Sequence, residues 1–170
     1  SALARLRAAG LSKYNAFEPD QTADETGYVL VIDQTRNDAS ITLGGADAGT
    51  FATMLAAAEH ENPGKTILIK THPEVAARYR RGYFGASDGS DATRLITAPL
   101  SPWALFERAA KVYTVSSQMG FEAILAGHKP HIFGRPFYGG WGLSHDRQRF
   151  ERRARRLTIP DLFAGAMLLY

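Results

Sequence analysis

Cysteine is absent from this chain, which excludes both a disulfide framework and a thiolate metal site. Long apolar runs are missing too. No stretch approaches the ~20 apolar residues needed to cross a bilayer, and no charged-then-apolar leader is present, so a cytoplasmic protein is the expectation. Charge is nearly balanced, with 20 Lys and Arg against 17 Asp and Glu. That leaves little general pull toward nucleic acid, and no nucleic-acid-binding motif occurs. The basic residues are uneven, however: six arginines fall between Arg147 and Arg156. There is no internal repeat. With 170 residues, 45% of them hydrophobic, the chain has enough material for one domain with a real core.

The most informative stretch is Val112 to Pro130. It reads as a β-branched strand, an abrupt Ser116-Ser117 turn, a short helix, a stop at Gly127 and a Pro leading to the next strand. Either serine can N-cap the helix, and Gly127 suits the position just past its end. A strand feeding a helix through small residues leaves unpaired N–H groups and a positive dipole end facing outward, which suits an anion. Glu122 lies within reach of that end. Its ordinary alternative is a surface carboxylate on a capped helix.

Along the chain, Ala2–Ala9 reads as a short helix stopped at Gly10, followed by a linker arm to residue 26. Tyr28–Ile32, Thr66–Ile69, Arg94–Thr97, Val112–Val115 and His131–Phe133 read as strands, the first as a run buried on both faces. Phe51–Glu61, Val75–Arg81, Ser101–Ala110, the Ser117 helix and Thr158–Tyr170 read as helices. Five alternations of strand and helix predict an α/β fold, a parallel sheet with helices on both faces. The boundaries are 1–26 for helix and arm, 27–157 for the sheet domain and 158–170 for a last helix. The chain opens and closes inside helical patterns, as expected of a piece of something longer.

In such a sheet the ligand crevice lies beyond the carboxyl ends of the strands. The polar clusters Gln34–Asp38, Lys70–Glu74, Ser116-Ser117 and Gly134–Tyr138 each follow a strand and so arrive at one edge. Lys70 and His72, with a helix starting at Pro73, make a site for a phosphate or another anion; alternatively His72 caps that helix. His72 has no second His or carboxylate at metal-ligand spacing, so no metal is expected. Asp33 and Asp38 bring carboxylates to the same edge, where one can serve as base or nucleophile.

These residues carry a resemblance. Asp33-Gln-Thr-Arg-Asn-Asp-Ala-Ser40, Lys70-Thr-His-Pro73, Val115 to Ala123 and Phe133-Gly-Arg-Pro-Phe-Tyr-Gly-Gly-Trp-Gly-Leu143, with Gly10 to Asn15, are similar to the capsule polysaccharide export proteins of the KpsC/LipB type. The resemblance implies the C-terminal, donor-binding half of a GT-B β-Kdo transferase, a Rossmann-like nucleotide-sugar domain over 27–157. It implies CMP-Kdo as donor substrate, no cofactor, a lipid-linked acceptor, and a first half of the same module as partner. By the same resemblance Asp38 and Gln34 are catalytic, while Lys70, His72, Ser116, Ser117 and Glu122 bind donor, Glu122 at the ribose. His128 lengthens the family's Gly-Lys-Pro to Gly-His-Lys-Pro. Peripheral attachment to the inner membrane through Arg147–Arg156 is a further expectation. The competing readings are another nucleotide-sugar enzyme of GT-B shape, such as a sialyltransferase-like or epimerase-like protein, and a non-catalytic module binding anionic lipid.

Overall fold

The structure, a computed structural model, describes residues 2–13, 15, 17 and 21–169. Tyr14 of the Gly10–Asn15 segment, part of the expected arm and Tyr170 of the expected last helix lie outside them.

Six strands, β1 (Tyr28–Ile32), β2 (Ile67–Lys70), β3 (Thr93–Ile96), β4 (Ala109–Thr114), β5 (His131–Ile132) and β6 (His145–Asp146), form one sheet. Their spatial order is β3-β2-β1-β4-β5-β6, and every pairing is parallel. The chain winds outward from β1 on one side, then returns to lay β4 against β1 and winds out on the other. This is the Rossmann-like order, with its reversal between β1 and β4.

The helices are α1 (Ala2–Ala8), α2 (Ala39–Leu43), α3 (Ala48–His60), α4 (Pro73–Ala76), α5 (Pro102–Arg108), α6 (Gln118–Leu125) and α7 (Ile159–Met167). Side chains of a strand alternate between faces, and β1 uses both. Val29 and Val31 join Ile41 of α2 and Phe51, Met54 and Leu55 of α3 in one core. Tyr28, Leu30 and Ile32 join Leu105 and Phe106 of α5 and Ala123 of α6 in the other. A third cluster lies at the β5 end of the sheet, where Leu3 and Leu6 of α1 pack with Phe121, Leu125, Ile132, Leu162 and Phe163. Each buried Leu, Ile or Phe contributes ~1.5–3 kcal/mol, which is why β1 is apolar until Asp33.

β6 and α2 were not expected, and the helix after β2 is much shorter than expected. β6 has only two residues, too few for any period. α2 occupies what reads as a polar loop, because Asp38 accepts from the Ser40 amide at 2.9 Å and caps it. The helix expected over 75–81 ends at Ala76, and Arg78 at φ 62° turns the chain left-handed. At the end of α6, the Gly127 amide donates to Ile124 and the His128 amide to Ala123, both at 2.9 Å. This paired closure with Gly127 at φ 99° is a Schellman end. The extra His128 is accommodated by a 2.8 Å contact from Nε2 to the Phe106 carbonyl.

Candidate functional site: a crevice over the sheet's carboxyl edge

A crevice of about 540 Å³ lies over the carboxyl ends of β1, β2 and β4, at the point where the strand order reverses. Gln34, Asp38, Lys70, His72, Ser116, Ser117 and Glu122 all line it. Residues up to 88 positions apart are thus brought together by topology, since each ends or follows a strand or, like Glu122, lies within two turns of the start of the helix after it.

The two serines divide their work. Ser117 caps α6, its Oγ accepting from the Met119 amide at 3.2 Å. Ser116 is held by Gln34: the Ser116 amide donates to Gln34 Oε1 at 2.9 Å, and Gln34 Nε2 donates to Ser116 Oγ at 3.2 Å. Ser40 Oγ lies 3.3 Å from Ser116 Oγ. From the far side, the buried Tyr138 hydroxyl donates to the Ser117 carbonyl. Gly120 makes room for that ring, because a Cβ there would stand 2.3 Å from Tyr138 Oη and 2.8 Å from Thr114 Cγ2.

Lys70 ends β2 with its Nζ donating to the Ala98 carbonyl at 2.9 Å. Burial lowers its pKa to about 8, so the ammonium is charged at neutrality but weakly solvated. His72 caps α4, its Nδ1 accepting from the Glu74 amide at 3.2 Å. This takes up a donor of the α4 N-terminus and places the imidazole proton on Nε2. Burial also lowers the His72 pKa, and Glu74 opposes the shift. His72 therefore both caps the helix and keeps an N–H donor.

Glu122 is almost fully buried. Its Oε1 accepts from Ser12 Oγ at 2.7 Å and from the Lys13 amide at 2.9 Å, while Oε2 has no partner among the described residues. Burial raises its pKa, and those two hydrogen bonds oppose the rise. The arm thus walls the crevice: Ser12, Lys13 and Phe17 line it, and Trp103 Nε1 donates to the Leu11 carbonyl at 3.0 Å. Asp33 also lines it, buried, with Oδ1 accepting from the Gln34 amide at 2.8 Å and the Tyr83 amide at 3.0 Å. Burial raises its pKa to about 6. Sequence reasoning reached Asp33 only as an alternative carboxylate. Ser12, Lys13 and Ser40 fall inside stretches that carry the resemblance but receive no role from it, and nothing local points the first two to Glu122, 110 and 109 residues away.

The arginine run is not one solvated face. Arg147 pairs with Glu61. Arg153 is half-buried, its Nη1 donating to the Pro136 and Gly139 carbonyls at 2.6 Å each, with the guanidinium 4.7 Å from the Phe150 ring centroid and 5.3 Å from that of Trp141. None of the six lines the crevice. Among the described residues, no three His, Asp or Glu side chains are grouped to hold a metal ion, and no helix is long and apolar enough to cross a membrane.

Known proteins share this fold. The chain is similar to a chain of Thermosulfurimonas dismutans KpsC described as a beta Kdo 2,4 transferase, with a TM-score of 0.92 and 43% identity over 99% of this chain and 54% of that one. A beta Kdo 2,7 transferase of the same protein matches with a TM-score of 0.67 and 26% identity, over 100% of this chain and 59% of that one. Among curated proteins, the capsule polysaccharide modification protein LipA of Neisseria meningitidis is 40% identical over 94% of this chain. The lipopolysaccharide-processing protein LpsZ of Rhizobium meliloti is 33% identical over 99% of it. The chain spans 24% of the length of LipA and 39% of LpsZ. The family model described as capsule polysaccharide biosynthesis protein matches residues 4–170. Sheet order, crevice and motifs thus meet in one conclusion: this chain belongs to the capsule polysaccharide biosynthesis protein family.

Proposed function

We propose that this chain is the donor-binding half of a capsule glycosyltransferase, which transfers Kdo from CMP-Kdo to a lipid-linked acceptor. The observation that carries the reading is the meeting of Lys70, His72, the N-terminus of α6 and the carboxylates of Asp33, Asp38 and Glu122 in one crevice at the strand-order reversal. The likeness to the two T. dismutans Kdo transferases supports it.

The chemistry suits these groups. The donor is a ketose already activated by a phosphate leaving group, so little acid catalysis is needed. The Lys70 ammonium, the His72 Nε2–H and the α6 amides stabilise the charge that collects on CMP as it leaves. In a double displacement, an Asp38 oxygen bonds to the anomeric carbon as the bond to the phosphate oxygen breaks and its electron pair departs with CMP. The acceptor hydroxyl then attacks that carbon and passes its proton to water, as the bond to Asp38 breaks and its electron pair returns to the carboxylate. Gln34 has both ends of its amide committed to Ser116, so its part is to hold Ser116 in place. Glu122 offers Oε2 to a ribose hydroxyl.

A GT-B transferase works between two halves, so the 170-residue chain alone is expected to bind donor without turning it over. Orienting the acceptor supplies ~7–11 kcal/mol of the barrier lowering, and that contribution is missing without an acceptor site. Calorimetric titration with CMP and UDP tests the donor: CMP is expected to bind, UDP not. The double variant His72→Ala/Ser116→Ala is expected to lose CMP, and unchanged affinity would remove the assignment. In the full-length protein, Asp38→Asn is expected to abolish Kdo transfer. Kdo transfer by the isolated chain at the parent's rate would contradict its being half an enzyme.

A further inference from the structure

A second concave surface of about 620 Å³ lies beside the crevice and is lined by Arg135, Gln148, Arg149, Phe150, Arg152 and Arg153, with Glu151 as its one acidic residue. Its position follows from the topology. Arg135 comes three residues after β5, and Arg149 three residues after β6. Both strands run parallel to β1 and β4, so the depression opens on the same carboxyl edge as the crevice, over the next two strands. The segment joining the two places Phe137 in the crevice and ties Arg135 to the turn after α2, its amide donating to the Gly44 carbonyl at 2.9 Å.

The depression is built rather than incidental. Arg153 is clamped by two carbonyls and two aromatic rings, so its guanidinium is already oriented and has lost most of its conformational freedom. Gly45, at φ 67°, lets Arg135 lie flat on the backbone, where a Cβ would meet Nη2 at 2.5 Å. Among the described residues, the side chains of Arg135, Arg149 and Arg152 form no ion pair. Four guanidiniums line the depression against the Glu151 carboxylate, with Asp146 acting on Arg153 from beside it, which leaves a local excess of positive charge that an anion would meet.

We infer that this arginine-lined depression is a binding site for a carboxylated sugar of the acceptor or product chain, held on the donor half beside the crevice. The inference rests on the proposed transfer of Kdo, each unit of which adds one carboxylate to the chain. The planar guanidinium matches a carboxylate through two parallel hydrogen bonds, and a concave site of this size suits one or two sugar rings. A bilayer surface fits it less well. Membrane contact uses a flat face with apolar side chains to insert, and none of the exposed large apolar residues (Leu11, Leu43, Tyr79, Phe137, Met167, Leu168, Leu169) lines the depression.

The test uses the 170-residue chain and its variant Arg135→Ser/Arg149→Ser/Arg152→Ser, all three residues being exposed, with folding checked by circular dichroism. A β-linked Kdo disaccharide, a neutral disaccharide, inorganic phosphate, CMP and vesicles containing anionic lipid are titrated against both. The expected result is binding of the acidic disaccharide that falls about tenfold or more in the variant, with no binding of the neutral one. CMP affinity stays within twofold, because its site lies elsewhere. Equal affinity of the acidic disaccharide for both proteins, or none for the parent chain, would overturn the inference. So would arginine-dependent binding of vesicles or phosphate that exceeds that of the disaccharide. Loss of CMP binding by the parent chain would remove the donor reading alone, while arginine-dependent sugar binding would keep this one.

Discussion

Gln34 and Ser116 stand 82 residues apart and exchange two hydrogen bonds, Ser116 N–H to Gln34 Oε1 at 2.9 Å and Gln34 Nε2 to Ser116 Oγ at 3.2 Å. The pair bolts the end of β1 to the end of β4 across the strand-order reversal. In Gln34→Ala a buried amide N–H loses its acceptor, at a cost of about 1–3 kcal/mol. The variant is expected to unfold at lower urea and to bind CMP more weakly. Full stability by chemical denaturation would show that the clamp is dispensable.

Lys70 gives the crevice a pH dependence. Burial holds its pKa at about 8 in the folded protein, against 10.5 for a lysine in water. Between those values the unfolded chain holds more protons, so Lys70 makes stability rise with pH from about 8 toward 10.5. Below pH 8 the buried charge is a standing penalty, and it is also what attracts an anion. CMP affinity is therefore expected to fall as pH rises from 7 to 9 while stability rises. Lys70→Met should flatten both trends in paired calorimetry and urea titrations. A parent protein whose CMP affinity is level across that range would separate Lys70 from the phosphate.

At Gly120 the space is already filled. The Cβ of Gly120→Ala would fall 2.3 Å from Tyr138 Oη, so the ring must leave the Ser117 carbonyl or α6 must shift. Overpacking of this kind costs about 1–3 kcal/mol. The variant is expected to lose thermal stability and, because the capped end of α6 moves, CMP affinity as well. Tyr138→Phe combined with Gly120→Ala should recover part of the stability, since it removes the clashing hydroxyl.

Tyr113 supplies a contrast. Its hydroxyl donates to Glu61 Oε2 at 2.8 Å and accepts from Asn62 Nδ2 at 3.1 Å, away from the crevice. Tyr113→Phe is expected to lower stability by about 1–2 kcal/mol and leave CMP affinity unchanged. A loss of nucleotide binding without a loss of stability would mean that the far face communicates with the site.

What was legible in the sequence follows from what each element depends on. β1 and β2 announce themselves because a strand buried on both faces must be continuously apolar. That Gln34, Asp38, Lys70, His72, Ser116 and Ser117 meet at one edge was legible because an open parallel sheet sends every βα loop there, wherever the strands lie in sequence, and Glu122 follows them from inside α6. β6 and α2 were not legible. The first is held by pairing with β5, and the second by a single carboxylate cap on a stretch without period. Arg78 ended a helix that composition favours, because backbone handedness overrides propensity there. The pairing of Glu122 with the arm had no signal at all. Nothing about Ser12 or Lys13 specifies a partner so distant.

That pairing has a consequence for how the molecule is made. Ser12 leaves the ribosome 110 residues before the carboxylate that will bind it. At ~5–20 residues per second the arm waits on the order of 5–20 s with nothing to hold. α1 waits longer, because Leu162 and Phe163 of the cluster it packs against come from α7. The sheet can be complete while its earliest-made segment is still searching. The wall of the crevice formed by Ser12 and Lys13 docks only once α6 is made and α1 only once α7 is made, so nascent chains halted before α6 should leave Ser12 accessible to a protease that the finished protein resists.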